Sequence, residues 1–171
     1  MEKLYFDLLD FEEEQYILIA SEKGLQFIGL FDGKDPLIDK FVGKRDLTRD
    51  SKMLGKYTES LLKYFQGNMR KFQLDFDLQG TDFQKEVWRE LGKVGYGQSV
   101  SYKELAERLD KPKSVRAVAN AVGRNPLLIF VPCHRVIGTN GTLTGFRSGL
   151  DLKRKLLELE GIKYERNISS L

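Results

Sequence analysis

Apolar and polar positions along the chain change their period at about residue 80, and the two halves predict different kinds of structure. Tyr16 to Ala20 and Leu25 to Phe31 are β-rich runs separated by Ser21-Glu22-Lys23-Gly24, a pattern that predicts a hairpin. A loop rich in Asp, Gly, Pro and Lys follows. Leu54, Tyr57, Leu61 and Tyr64 then recur at helical spacing, with Gly67 placed to stop the helix. Phe72, Leu74, Phe76 and Leu78 alternate with polar residues, which predicts a strand with one wet face that ends at Gly80. Residues 1–79 therefore form the first predicted domain, a sheet with a helix packed on it, and carry no visible chemistry.

Residues 80–171 form the second, mostly helical domain, which makes the fold class α+β. Thr81 precedes Gln84 at capping-box spacing, and Phe83, Val87 and Leu91 line one face of the helix behind it. Gly92 to Gly97 break the chain. Ser101 and Glu104 repeat the capping box ahead of a stripe made of Tyr102, Leu105, Ala106 and Leu109. After the turn Lys111-Pro112-Lys113, Ser114 can cap a helix whose Val115, Val118, Ala119 and Val122 face inward, with Arg116, Ala117 and Asn120 on the other side. This is a helix-turn-helix candidate, and the small Ala117 and Ala119 suit a helix that enters a groove. Leu127 to Val131 reads as a buried strand. A last helix from about Gly149 to Gly161 is expected to bury Leu152, Leu156 and Leu159.

Composition narrows the function classes. With 41% apolar and 11% aromatic residues, the 171-residue chain can bury a core. Met1 to Phe11 lacks the basic-then-apolar run of a secretory leader, and no apolar stretch reaches the ~18 residues of a membrane span, so the expectation is a soluble cytoplasmic protein, and a monomer because no exposed apolar stripe suggests otherwise. One cysteine and one histidine exclude an internal disulfide and fall short of a zinc site, so no metal or other cofactor is expected. The Asn167-Ile168-Ser169 sequon reads as chance on this view. The net charge of +3 is uneven: residues 1–79 hold 12 Lys/Arg against 15 Asp/Glu, and residues 80–171 hold 16 against 10. That asymmetry fits a polyanionic partner for the second half, although extra lysines on a solvated face give the same count.

The chemistry centres on Pro132-Cys133-His134-Arg135-Val136, where the chain's only Cys and only His are neighbours. Pro132 has no backbone donor to extend a ladder, so the chain should turn there and let thiol and imidazole approach. A thiol with its usual pKa of about 8.5 is only slightly ionised near neutrality and needs a base, for which His134 is the candidate. Such a base is ordinarily oriented by a carboxylate. Glu160, in the last turn of its helix where the macrodipole disfavours negative charge, is placed for that task or is merely solvated.

Asn125-Pro126, the run into Pro132-Cys133-His134-Arg135-Val136, Gly145 to Gly149, and Leu156-Leu157-Glu158-Leu159-Glu160-Gly161 together resemble the O6-alkylguanine-DNA alkyltransferase family, over about residues 81–161. The resemblance implies that Cys133 accepts an alkyl group from O6-alkylguanine, and from O4-alkylthymine, in duplex DNA once per molecule. It implies that His134 is the base through a water, that Glu160 holds His134, and that Asn125 braces the turn. Tyr102 would crowd the target phosphate and assist the departing guanine, and Arg116 would fill the space left by the rotated base. The second helix of the pair would dock in the minor groove. Ser114, Ala117, Ala119 and Arg135 are expected at the DNA beside Arg116, and Val136, Phe146, Arg147 and Ser148 around the substrate pocket.

The chain also departs from the family. It lacks the ligands for the zinc that some members hold in the N-terminal part. Phe146 stands where some relatives have tyrosine, and Arg147 beside Ser148 alters the lid of the pocket. A related group of non-repairing binders lacks the acceptor cysteine, which this chain has. Two other readings predict different behaviour: a regulator with an inert Cys binds selected sequences without changing mass, and a Cys-His-Glu hydrolase turns over repeatedly.

Overall fold

The computed structural model describes residues 2–43 and 46–165 and divides into two compact units, Met1–Gln79 and Gly80–Leu171. The sequon at Asn167 lies outside the described residues. Among these residues no helix is long and apolar enough to cross a membrane.

The first unit is built on a four-stranded sheet of order β3-β2-β1-β4. The predicted hairpin forms one side of it: β2 (Glu14–Ser21) runs antiparallel to the edge strand β3 (Gly24–Leu30), with Tyr16 opposite Leu30. Two strands were not foreseen. β1 (Lys3–Phe11) pairs antiparallel with β2, and β4 (Asp46–Arg49) pairs parallel with β1. Acidic residues mask the alternation of β1, yet Leu4, Phe6 and Leu8 share one face, as period-two geometry requires. They join Ile17, Ile19, Phe27 and Phe41 in one apolar cluster, with Phe41 supplied by the short helix α1 (Ile38–Val42) inside the expected loop.

Helix α2 (Ser51–Phe65) forms as predicted and buries Leu54, Tyr57, Leu61 and Tyr64. Asp50 caps it by accepting from the Met53 N–H at 2.9 Å, and Gly67 takes the left-handed conformation (φ 78°) just past its end. Phe65 meets Tyr16 at 5.2 Å between ring centroids, so α2 covers the sheet face opposite Ile17 and Ile19.

Residues 72–78 do not form the predicted strand. Only one bridge forms, between Leu25 and Phe76, through Leu25 N–H to Asp75 O (3.2 Å) and Asp77 N–H to Leu25 O (2.9 Å). The alternating burial survives, but side chains replace the ladder: the Asp77 carboxylate accepts from Ser21 Oγ (2.6 Å) and Gln26 Nε2 (2.9 Å). Gly24 permits this approach, because a Cβ there would lie 2.6 Å from Asp75 O.

In the second unit, α3 (Asp82–Leu91) and α4 (Tyr102–Arg108) both carry the predicted reciprocal capping boxes, from Thr81 with Gln84 and Ser101 with Glu104. The buried Trp88 of α3 donates its indole N–H to Ala121 O of α5 (Val115–Gly123) at 2.8 Å. Ser114 stands at the N-cap of α5 but makes no side-chain cap, because its φ of −108° and ψ of 29° are not the extended geometry a cap needs. Two short parallel strands, β5 (Val100–Ser101) and β6 (Val136–Ile137), pair Val100 with Val136.

Helix α6 (Leu150–Leu159) buries Leu152 and Leu156 as expected, but Leu157 takes the place of Leu159, which is only half-buried. Leu157 is drawn inward by Ile137, Leu143 and Ile162. Leu127 to Val131 is buried as expected, but it is a sharp turn and not a strand.

Candidate active site

The turn that replaces the expected strand is closed by a backbone bond from Val131 N–H to Leu127 O (2.8 Å) and braced by one side chain. Asn125 donates from Nδ2 to Val131 O (2.8 Å) and accepts from the Leu127 N–H (2.9 Å), tying both ends of the segment together. Within it, Phe130 N–H bonds Leu128 O at 2.8 Å across Ile129, whose φ is 73°. A positive φ at a β-branched residue is strained by about 1–3 kcal/mol and persists only where the surroundings impose it. Here the buried, fully bonded Asn125 does so.

The chain then passes Pro132 into one turn of 3₁₀ helix, Cys133–Arg135, the turn predicted after the proline. His134 is completely buried, and its Nε2 lies 2.6 Å from Glu160 Oε2. Because an ionised carboxylate only accepts, the imidazole carries its proton on Nε2, and Nδ1 is the basic nitrogen.

Glu160, the C-cap of α6, collects four donors: His134 Nε2, Arg135 Nε (2.7 Å) and NH2 (3.1 Å), and the Gly97 N–H (3.1 Å). The two-pronged guanidinium contact offsets both burial and the unfavourable helix dipole. Arg135 also donates from NH1 to Val94 O at 2.6 Å, and its side chain is only 8% exposed. This corrects the expectation that Arg135 meets DNA: its charge is committed inward, to the carboxylate that orients His134.

Burial pushes the Cys133 thiol above its usual pKa, opposed by the Asn125 amide and the positive charges of Arg147 and Lys153. Burial likewise holds His134 below its ordinary value despite the contact with Glu160, so the ring is neutral near neutral pH. Tyr102, at the start of α4, has its phenol raised by burial, with the nearby Cys133 pushing it the same way. Tyr102 directly follows β5, and the thiol-bearing turn leads directly into β6, the strand paired with it. Tyr102 Oη lies 2.7 Å from Thr144 Oγ1.

Phe146, Arg147 and Ser148 are half-buried on the segment leading into α6. Val136, expected as a pocket wall, is sealed in β6 and contributes its carbonyl instead, which accepts from Lys153 Nζ at 2.7 Å. Lys153 was missed. It has no exposed surface, its amine lies 5.8 Å from the Phe146 ring centroid, and burial pushes its pKa down to about 8. A signal was available: Lys153, Leu156, Leu157 and Glu160 fall at i, i+3, i+4 and i+7, one helical face. Thr144 and the backbone groups of Val94 and Gly97 carried no such signal. Among the described residues no three His, Cys, Asp or Glu side chains are grouped to hold a metal ion.

On the outer face, Arg116 and Ala117 are exposed and Ala119 and Ser114 are half-buried. An open cleft of about 650 Å³ beside them is lined by Phe83, Gln84, Lys113, Arg116, Ala117 and Asn120. Chemically, the second unit holds the chain's one thiol, next in sequence to a buried imidazole paired with a carboxylate.

Comparison with known proteins is specific about the family. Residues 82–162 match the DNA binding domain of 6-O-methylguanine DNA methyltransferase, and residues 4–78 match the ribonuclease-like domain of the same family. An inducible methylated-DNA–protein-cysteine methyltransferase of Bacillus subtilis (strain 168) is 40% identical over 163 residues, covering 92% of this chain and 90% of that one. A methylated-DNA–protein-cysteine methyltransferase of Mycolicibacterium paratuberculosis is 46% identical over 154 residues, covering 85% and 92%. Mycobacterium tuberculosis OGT, solved in complex with DNA, superposes with a TM-score of 0.83 at 35% identity, over 92% of this chain and 93% of that one. The chain belongs to the methylated-DNA–protein-cysteine methyltransferase family.

Proposed function

We propose that this protein is a DNA-repair alkyltransferase that moves the alkyl group of O6-alkylguanine, and of O4-alkylthymine, in duplex DNA onto Cys133, once per molecule. The observation that carries this reading is the chain's only thiol, set one residue from a buried imidazole that Glu160 holds at 2.6 Å. The DNA complex of the similar M. tuberculosis protein supports DNA as the partner. A DNA substrate supports an intracellular setting, which the proposal takes to be the cytoplasm.

Unit 2 supplies both binding and chemistry. Helices α4 and α5 serve as the helix-turn-helix, with Ser114, Ala117 and Ala119 against the minor groove, where small side chains allow close approach. Rotating the damaged nucleotide out of the stack costs a few kcal/mol, and the exposed Arg116 offsets part of it by occupying the gap. The thiol gives its proton, through a water, to Nδ1 of His134, while Glu160 stabilises the imidazolium and Arg147 and Lys153 stabilise the thiolate. Sulfur attacks the alkyl carbon in line: a C–S bond forms, the C–O bond breaks, and its electron pair leaves with guanine. Tyr102 supplies a proton to the leaving base. The thioether has no ready leaving group, so the molecule is spent.

The test is intact mass after incubation with duplex DNA carrying one O6-methylguanine. The expected result is stoichiometric methylation of Cys133, absent in Cys133→Ala. Repeated turnover, or an unchanged protein beside unrepaired DNA, refutes the reading.

A further inference from the structure

We infer that Thr144 is a positioning residue for the transfer: its hydroxyl donates to Tyr102 Oη, so that the tyrosine's own proton is aimed at the departing base. The inference rests on the alkyl-transfer reading above and adds a residue to it.

The geometry leaves Tyr102 little freedom except at its tip. Its backbone is held by the Ser101 capping box on one side and by the pairing of Val100 and Ser101 with Val136 and Ile137 on the other. The ring of a tyrosine so anchored still swings about two side-chain bonds, and the 2.7 Å contact with Thr144 Oγ1 fixes where the hydroxyl ends. Thr144 itself sits two residues before Phe146, on the segment that carries the half-buried Phe146, Arg147 and Ser148 into α6. The contact therefore ties α4 to the segment that leads into α6.

The direction of the hydrogen bond decides what Tyr102 can do. A phenol has one proton. If Tyr102 donates it to Thr144, none remains for guanine; if Thr144 donates, Tyr102 keeps its proton and gains an acceptor-side partner that strengthens it as a donor. The same bond stabilises the negative charge that builds on Oη as its proton moves to the base, which matches the lowering pull of Thr144 on an otherwise raised phenol. Protons balance: the one lost by the thiol through His134 to water equals the one guanine takes, and Tyr102 is reprotonated from water.

The experiment is single-turnover repair of O6-methylguanine duplex by the wild type, Thr144→Val, Thr144→Ser, Tyr102→Phe and the Thr144→Val/Tyr102→Phe double variant, with DNA affinity measured alongside. Valine keeps the shape of threonine and removes the donor. Thr144→Val should slow the limiting transfer rate about five- to tenfold, the worth of one hydrogen bond, with DNA affinity unchanged. Thr144→Ser should recover most of the rate. In the Tyr102→Phe background the valine change should have no further effect, because the two hydroxyls act as a pair. Full activity in Thr144→Val, no recovery with serine, losses that multiply in the double variant, or a loss confined to affinity each overturns the inference. Absence of methyl transfer in the wild type is a separate outcome that overturns the alkyl-transfer reading itself.

Discussion

A lysine with no exposed surface puts a positive charge near the thiol, and removing that charge should separate stability from activity. Lys153 donates to Val136 O at 2.7 Å, and burial lowers its pKa from 10.5 to about 8. Its folded-state pKa is below its unfolded one, so between about 8 and 10.5 the unfolded chain holds more protons and stability rises with pH across that window. Below about pH 8 the folded protein bears the full burden of the buried charge, at most about 3 kcal/mol. Lys153→Met should therefore raise the melting temperature at neutral pH, by about 1–3 kcal/mol in stability since the Val136 carbonyl loses a donor, with the gain shrinking toward pH 10. The same variant should slow alkyl transfer, because the thiolate loses a neighbouring cation. Thermal melts across pH together with transfer rates check this, and a melting temperature that falls at neutral pH with an unchanged rate contradicts it. At this scale a short motif, Pro132 to Val136, singled out Cys133 and His134, while Asn125 stood out only through the flanking Asn125-Pro126 block of the family resemblance. It hid the task of Arg135, because an arginine in a basic half reads as a phosphate contact until Glu160 is seen to hold it.

The helices show why some elements were legible and others were not. Local signals that a single turn satisfies survived intact: both capping boxes predicted from three-residue spacing are present, at Thr81 with Gln84 and at Ser101 with Glu104. Signals that need a partner did not. Residues 72–78 alternate like a strand but bridge β3 once, and Leu127 to Val131 is apolar like a strand but is bent by Asn125. The unforeseen β1 and β4 depend on pairing across many residues, which alternation diluted by acids does not reveal. The caps also give an expectation that contrasts two residues of similar chemistry. Thr81→Ala removes a capping bond from α3 and should destabilise the protein by about 1 kcal/mol. Ser114→Ala removes no capping bond from α5 and should leave stability within about 0.5 kcal/mol of wild type, while weakening binding to duplex DNA. Denaturant melts and a binding titration decide both. A Ser114→Ala protein that is clearly destabilised and binds normally reverses the assignment.

Over the whole molecule, charge and chemistry lie in the same unit. Residues 80–171 carry 16 Lys/Arg against 10 Asp/Glu, whereas residues 1–79 carry 12 against 15, and the thiol, the His–Glu pair and the helix with exposed Arg116 all belong to the former. If that unit tracks a phosphate backbone, affinity must fall with salt as counterions return, by about 0.9 in log–log slope for each phosphate neutralised. Single lysines then report which unit meets DNA. Lys113 is exposed on the turn before α5 and lines the open cleft beside Arg116, so Lys113→Ala should weaken binding alike on different sequences and make the salt slope shallower by about one. Lys34 is equally exposed in the acidic unit, and Lys34→Ala should change neither. Titrations of labelled duplex at several salt concentrations provide the comparison. Equal effects of the two substitutions would mean that the basic balance of the second unit is a solvated surface, and that DNA reaches Cys133 by some other face.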